Sequence, residues 1–348
     1  MALAPARRRG HLTIRTRAFD VRINVRVLLL AAGVTGVLAL LATWAMTLGS
    51  YPVPYTDVFW SLLGRGNEEH EFIVRTLRVP RVLCAIGIGG MLALSGAIFQ
   101  GLVRNPLVSP DIIGIESGAT LFAVFWLVTG RGWGLLPFAA FGGAFLTAAL
   151  IYVLSWKGGV SPNRLILVGI GIGSCAAAGT TYLTVRYPVE IVRPAQVWTM
   201  GSVYGSDWGD VRVLGVAIAF LLPLAVGLTW SLRTLQLGED VSRGLGMPLE
   251  RTRLLLILTG CALSAVTISI AGPIGFVALM TPHLARMLAG PLSGSMMLLT
   301  GALGATFLLA ADVVAQHALP VALPVGVITS AVGAPYFLLL LYRANIRM

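Results

Sequence analysis

The residues that could do chemistry are few. The chain has 348 residues, of which 11% are Asp, Glu, Lys or Arg, against ~25% in an ordinary soluble domain. A P-loop needs Gly-x-x-x-x-Gly-Lys followed by Ser or Thr, because the lysine must reach the β- and γ-phosphates of a nucleotide. The single lysine, Lys157, lies between Trp156 and Gly158. The chain cannot build a P-loop, so an ATP-driven motor would be a different chain. A zinc hydrolase needs histidines at ligand spacing, but His11, His70, His283 and His317 are scattered and no His-Glu-x-x-His occurs. Ser95, Ser117 and Ser293 each precede a glycine, but none has a glycine two residues earlier, as a nucleophile elbow would want. Cys84, Cys175 and Cys261 stand singly in apolar runs and read as small buried hydrophobes. No catalytic residue, metal site or cofactor is expected.

Charge in unusual places is what remains. An ion-coupled secondary transporter needs carboxylates inside the membrane, where ionised side chains are costly; Asp312 and Glu116 are the candidates, each nearer the end of an apolar run than its centre. Two isolated acids make a thin relay. Arg78 and Arg81, in LRVPRVL, flank another run. They fit either arginines snorkelling to the interface or a docking point for an acidic partner.

The stretch LGEDVSRGLGMP at 237–248 is a polar island between long apolar runs. Leu237, Val241 and Leu245 fall four apart, so on a helix they form one apolar stripe. Glu239 and Asp240 suit a helix N-terminus, and Arg243 lies one turn from Glu239. Gly246 can end the helix, and Pro248 can open the next. Two turns are well below the ~12–15 residues an isolated helix needs, so this one must dock. It is either a connector folded onto its own chain or a lever packed against a soluble motor.

These residues are positioned by apolar elements. The composition is 57% hydrophobic, and runs of about 20 apolar residues argue for membrane-spanning helices rather than a barrel. The expected fold is an all-α integral membrane protein with ten spans, at about 27–48, 82–103, 111–129, 134–156, 164–185, 210–231, 253–271, 273–285, 296–317 and 325–342. An even count returns both termini to one side. Residues 1–26 then form a basic cytoplasmic tail, 27–342 the membrane domain, 232–253 a cytoplasmic loop within it and 343–348 the cytoplasmic C-terminus. With that orientation 17 Lys and Arg residues face the cytoplasm and 8 face out, the bias expected of inner loops. The net charge of +11 is therefore topology, not a nucleic-acid surface. The basic tail precedes an apolar run too long for a signal peptide, so the first span is expected to be retained.

Three features exceed a plain bundle. The segment 273–285 is too short to cross ~30 Å of hydrocarbon alone. Pro137, Pro223, Pro282 and Pro335 interrupt spans, which requires neighbours that satisfy the freed carbonyls. Gly96, Ile98, Pro106, Gly114 and Gly118 recur at one offset as Gly272, Ile274, Pro282, Gly290 and Gly294, which fits either an inverted repeat of the kind transporters use or chance recurrence in a glycine-rich chain.

Taken together, LRVPRVL, LALSGAIFQGLVRNPLVSPDIIGIESGA, LGEDVSRGLGMPLERTRLL, AGPIGFVALMTPHLAR, LAADVVAQ and LPVGVITSAVGAP resemble the iron-siderophore and vitamin B12 ABC importer permeases, the ferric-enterobactin type most. The resemblance spans residues 28–342 and implies a type II ABC importer fold in the bacterial cytoplasmic membrane. It implies a homodimeric ATPase below, a second, paralogous permease alongside, and an extracytoplasmic binding protein delivering a ferric siderophore; the same fold could carry B12 or haem. By resemblance, Leu237, Gly238, Glu239, Val241, Arg243, Leu245 and Gly246 form the ATPase coupling loop, with Arg286 packed beneath it. Arg78 and Arg81 become docking arginines for the binding protein, and Ser161, Pro162 and Asn163 border the pathway or gate. Some family members carry a further docking arginine where this chain has Gln316.

Overall fold

The computed structural model describes residues 11–15, 20–318 and 320–346. The tail arginines Arg7, Arg8, Arg9 and Arg17, and Arg347, which carry part of the basic bias, lie outside the described residues. Residues 12, 14, 21 and 23 are apolar and alternate with polar ones, and this period of two yields a hairpin. Strand β1 (His11–Arg15) pairs antiparallel with β2 (Asp20–Asn24), His11 opposite Asn24. Everything after it is helical or loop.

Helix α1 (Val25–Thr47) is followed by two short helices, α2 (Tyr55–Leu62) and α3 (Glu68–Phe72), and by α4 (Val79–Val103). Next come α5 (Ile115–Val128), α6 (Leu136–Leu154), α7 (Pro162–Arg186) and α8 (Val189–Trp198). Helices α9 (Trp208–Gly227) and α10 (Thr229–Gln236) run on almost without a break, and α11 (Glu239–Gly244) is the polar island. Helices α12 (Leu249–Ala271), α13 (Val277–Ala289), α14 (Gly294–His317) and α15 (Val325–Ile346) complete the chain. Eight helices among the described residues are long and apolar enough to cross a membrane. The fourteen-residue α5 and the thirteen-residue α13 bring the spans to ten. At 1.5 Å per residue each is about 20 Å long, too short to cross alone.

The order of the bundle follows from α4. Its span is 83% buried, so this apolar helix is surrounded by protein rather than lipid, and α14, α12, α13 and α9 pack around it. Glycine makes the approach close. A Cβ on Gly89 would stand 2.4 Å from the Gly304 carbonyl oxygen, and one on Gly304 would stand 2.3 Å from that of Gly89. Small residues at such a crossing let van der Waals packing replace the hydrophobic drive that lipid removes.

Some expected boundaries move. Pro137 does not interrupt a span but sits at the start of α6, where its missing N–H costs nothing. The second span continues outward through a π-helical turn (Ile73–Arg78) to Glu68, because a helix can leave the bilayer and carry charge. Gly96 lies inside α4 whereas Gly272 follows the end of α12. The constant-offset matches therefore do not occupy equivalent positions.

Pro282 shows how a broken span survives. It cannot donate to the carbonyl of Ala278, and the Gln100 side-chain amide on α4 donates to that oxygen at 3.4 Å and to the Leu279 oxygen at 2.9 Å. Gly96 makes room, since a Cβ there would lie 1.8 Å from the Ala278 oxygen.

Candidate functional site

One end of the bundle gathers the loops that the sequence assigns to the basic side. Arg104, in the left-handed conformation after α4, donates to the Leu235 carbonyl at the end of α10. Beside it, α11 is bounded by Gly238 (φ 115) and Gly246 (φ 77), conformations that glycine adopts without steric cost. Ser242 faces inward, its hydroxyl donating to the carbonyls of Thr234 at 2.9 Å and Gly238 at 2.7 Å, and Met247 is buried.

The apolar stripe faces outward instead. Leu237 is 65% exposed, Val241 48% and Leu245 61%. Val241 on α11, with Leu237 and Leu245 just beyond its two ends, stands out from a segment whose other face is anchored, and the three make a surface that water does not favour. Arg243 and Glu239 stand 3.8 Å apart on this exposed helix, a screened pair of little energetic consequence.

Behind the stripe lies a polar cluster that joins Glu239 to two residues not singled out in the sequence. Arg253, in the second turn of α12, is 6% exposed and pairs with both Glu239 and Glu250. Glu250 also accepts a hydrogen bond from the Val160 backbone N–H at 3.2 Å. The signal for Arg253 was an arginine at the very edge of an apolar run, where sequence spacing gives no hint of its partners.

Ser161, Pro162 and Asn163 are the start of α7 rather than a free loop. Ser161 caps the helix by accepting from Arg164 N at 3.3 Å, with Pro162 in its first turn. Leu167, Ile170, Tyr182 and Val185 on α7 are exposed, so the helix keeps an uncovered apolar flank. Arg286 lies on α13. Its guanidinium donates to Gln100 Oε1 on α4.

The opposite end holds the two arginines at the start of α4, Arg78 at its N-cap and Arg81 in its first turn. Arg78 donates to the carbonyls of Met46, at 2.6 Å, and Tyr51. Arg81 pairs through two nitrogens with Asp312 of α14, and its guanidinium stands 5.7 Å from the centre of the Tyr204 ring. Arg81 keeps 20% of its side chain exposed and Asp312 only 7%. Asp312 is thus committed to an arginine, while Glu116 is buried at the start of α5 near the other end. The two acids form no continuous path. Among the described residues no group of three or more His, Cys, Asp or Glu stands together as a metal site.

Residues 37–343 match the FecCD transport family. The chain is 39% identical over 309 residues to the "Probable siderophore transport system permease protein YfhA" of Bacillus subtilis, covering 86% of this chain and 90% of that protein. It is 36% identical over 275 residues to the ferric enterobactin transport system permease protein FepG of Escherichia coli, covering 78% and 83%. Among solved structures, an inward-facing conformation of a metal-chelate type ABC transporter superposes with a TM-score of 0.82 at 30% identity, over 90% of this chain and 98% of that one.

Proposed function

The chain belongs to the FecCD transport family, and from that premise we propose that it is the permease subunit of an ABC importer that carries a ferric siderophore across the bacterial cytoplasmic membrane. The observation that carries this reading is the outward stripe Leu237, Val241 and Leu245 along the anchored α11 and its two flanks at the basic end. A chain without a P-loop needs a motor, and this stripe is a surface for one. The arginine bias supports assigning that end to the cytoplasm.

In this reading a homodimeric ATPase covers the stripe, and Gly238 and Gly246 set the bend of the lever against it. The uncovered flank of α7 meets the partner permease, a paralogue, with the pathway between the two subunits. Ser161–Asn163 border its inner mouth. At the outer end the binding protein presents acidic side chains to Arg78 and Arg81. Each arginine is already held by an internal partner, so it is oriented before the protein arrives, and pre-orientation lowers the ordering cost of docking. ATP-driven closure of the motor displaces α11 and switches the pathway between outward and inward access.

The reading is tested in vesicles containing the chain with its ATPase and partner permease. ATP plus the binding protein should drive uptake of radioactive iron as a ferric siderophore, and ATP omission should abolish it. Uptake by this chain alone without any ATPase would overturn the assignment.

A further inference from the structure

We propose that Arg253 is the hub of a polar relay that carries movement of α11 to the start of α7. The relay rests on the importer reading and names the residues through which its lever acts. Burying a guanidinium charge is tolerated only among opposite charges. Two are supplied, on different elements. Nη2 donates to Glu239 Oε1 on α11, and Nη1 donates to Glu250 Oε1 at 2.9 Å on its own helix. The second oxygen of Glu250 accepts from the Val160 N–H at 3.2 Å, in the turn that precedes α7. Arg253 and Glu250 together therefore join the lever, α12 and that turn.

The turn is built to receive Glu250. A Cβ on Gly159 would stand 2.8 Å from Glu250 Oε1, so a side chain there would push the carboxylate off. Among the described residues, the Glu250–Val160 contact is the only hydrogen bond between α12 and this turn.

Arg164 then fastens the turn to α7. Its guanidinium donates twice to the Lys157 carbonyl at 3.3 Å, to the Gly159 carbonyl at 2.6 Å and, through Nε, to the Ser161 hydroxyl at 3.2 Å. Its backbone N–H donates to the same hydroxyl at 3.3 Å. The turn and the first turn of α7 must move as one piece. A shift of Glu239 is thus passed through Arg253 and Glu250 to α7, whose far side packs on α5 and α6. Each link is a charged or charge-assisted bond, stiffer and more directional than the apolar contacts around it.

The test uses the assembled importer in vesicles with Cys175→Ala, which removes the exposed cysteine, and Lys157→Cys as a reporter on the exposed turn before α7, where Arg164 holds the backbone carbonyl. The rate of Lys157→Cys modification by a water-soluble maleimide is measured with and without ATP and vanadate, alongside siderophore uptake per ATP hydrolysed. In the parent, nucleotide changes the modification rate. Glu250→Gln should remove that response and lower uptake per ATP by roughly tenfold, within the range of ordinary coupling energies, while ATP hydrolysis continues. Val160→Pro, which removes the donor N–H and no charge, should do the same, and serves if Glu250→Gln fails to assemble. Arg253→Lys, whose ammonium reaches one carboxylate at a time, should fall between. Adding Glu239→Gln to Glu250→Gln should cost little more than either alone. Full uptake and an intact nucleotide response in Glu250→Gln or Val160→Pro would overturn the relay. A parent complex without ATP-driven uptake would instead overturn the importer reading, and the relay with it.

Discussion

Arg81 and Asp312, 231 positions apart in sequence, meet as a two-point ion pair. Arg81 Nε lies 2.9 Å from Asp312 Oδ2, and Nη2 lies 2.7 Å from Oδ1. The pair ties α4 to α14 at the end of the bundle opposite the lever. It turns an aspartate that could have served ion coupling into a structural partner, and it gives a proposed docking arginine a fixed orientation.

Truncating one partner should therefore be worse than removing both. Arg81→Ala leaves the buried Asp312 carboxylate without its counter-charge, a change that costs about 3–5 kcal/mol in comparable buried pairs. The joint variant Arg81→Leu with Asp312→Leu should recover most of that loss. Thermal unfolding of the purified subunit in detergent checks the order. Equal midpoints for the single and joint variants would mean that the pair does not hold the helices together.

Docking can be separated from stability by exchanging the two residues. Arg81→Asp with Asp312→Arg keeps an ion pair between α4 and α14 but moves the positive charge off the α4 position. The unfolding midpoint should stay near that of the parent, while affinity for the binding protein at low salt should fall by about tenfold or more, as for a lost interfacial charge contact. Unchanged affinity would remove Arg81 from the docking surface.

Gln100 gives a third expectation. Gln100→Leu has nearly the same volume but no amide to donate to the Ala278 carbonyl that Pro282 leaves unpartnered. The buried oxygen then lacks a hydrogen bond, at a cost of about 1–3 kcal/mol. Arg286 loses the acceptor that positions it as well. Replacing Pro282 by Ala in the same chain restores a backbone donor and should return part of the stability, read again by unfolding midpoints.

What the sequence made legible and what it hid divide along one physical line. Spans such as Val25–Thr47 and Gly294–His317 declare themselves because lipid demands long apolar runs whatever the neighbours do. The stripe of Leu237, Val241 and Leu245 was legible because a helix places residues four apart on one face, although α11 itself, Glu239–Gly244, is shorter than the two turns expected and leaves Leu237 and Leu245 at its flanks. By contrast, the partners of Arg81, Gln100 and Arg253 lie on other helices, and nothing in local spacing names them. Each was visible only as a lone polar residue in or beside an apolar run. The helical extension Glu68–Phe72 was hidden for a different reason. Its charges keep it outside every apolar run, although a helix outside the bilayer has no need to be apolar.

The lever itself supports the sharpest expectation. Gly246 has φ 77, and a Cβ there would meet nothing within 4 Å. A larger side chain would thus be strained by roughly 1 kcal/mol in the backbone but would clash with no part of this chain. Gly246→Trp should accordingly fold and reach the membrane at near parent levels. Its indole would project from the surface that carries Leu245 and Val241, where the motor is proposed to sit, and would hold the two subunits apart. Uptake should fall by at least about tenfold, consistent with a steric wedge at the centre of an interface, and ATP hydrolysis by the complex should no longer respond to the loaded binding protein. Membrane yield and the unfolding midpoint report on folding, co-purification of the ATPase reports on assembly, and uptake reports on coupling. A Gly246→Trp subunit that retains its ATPase and transports normally would show that no partner covers this end of the helix.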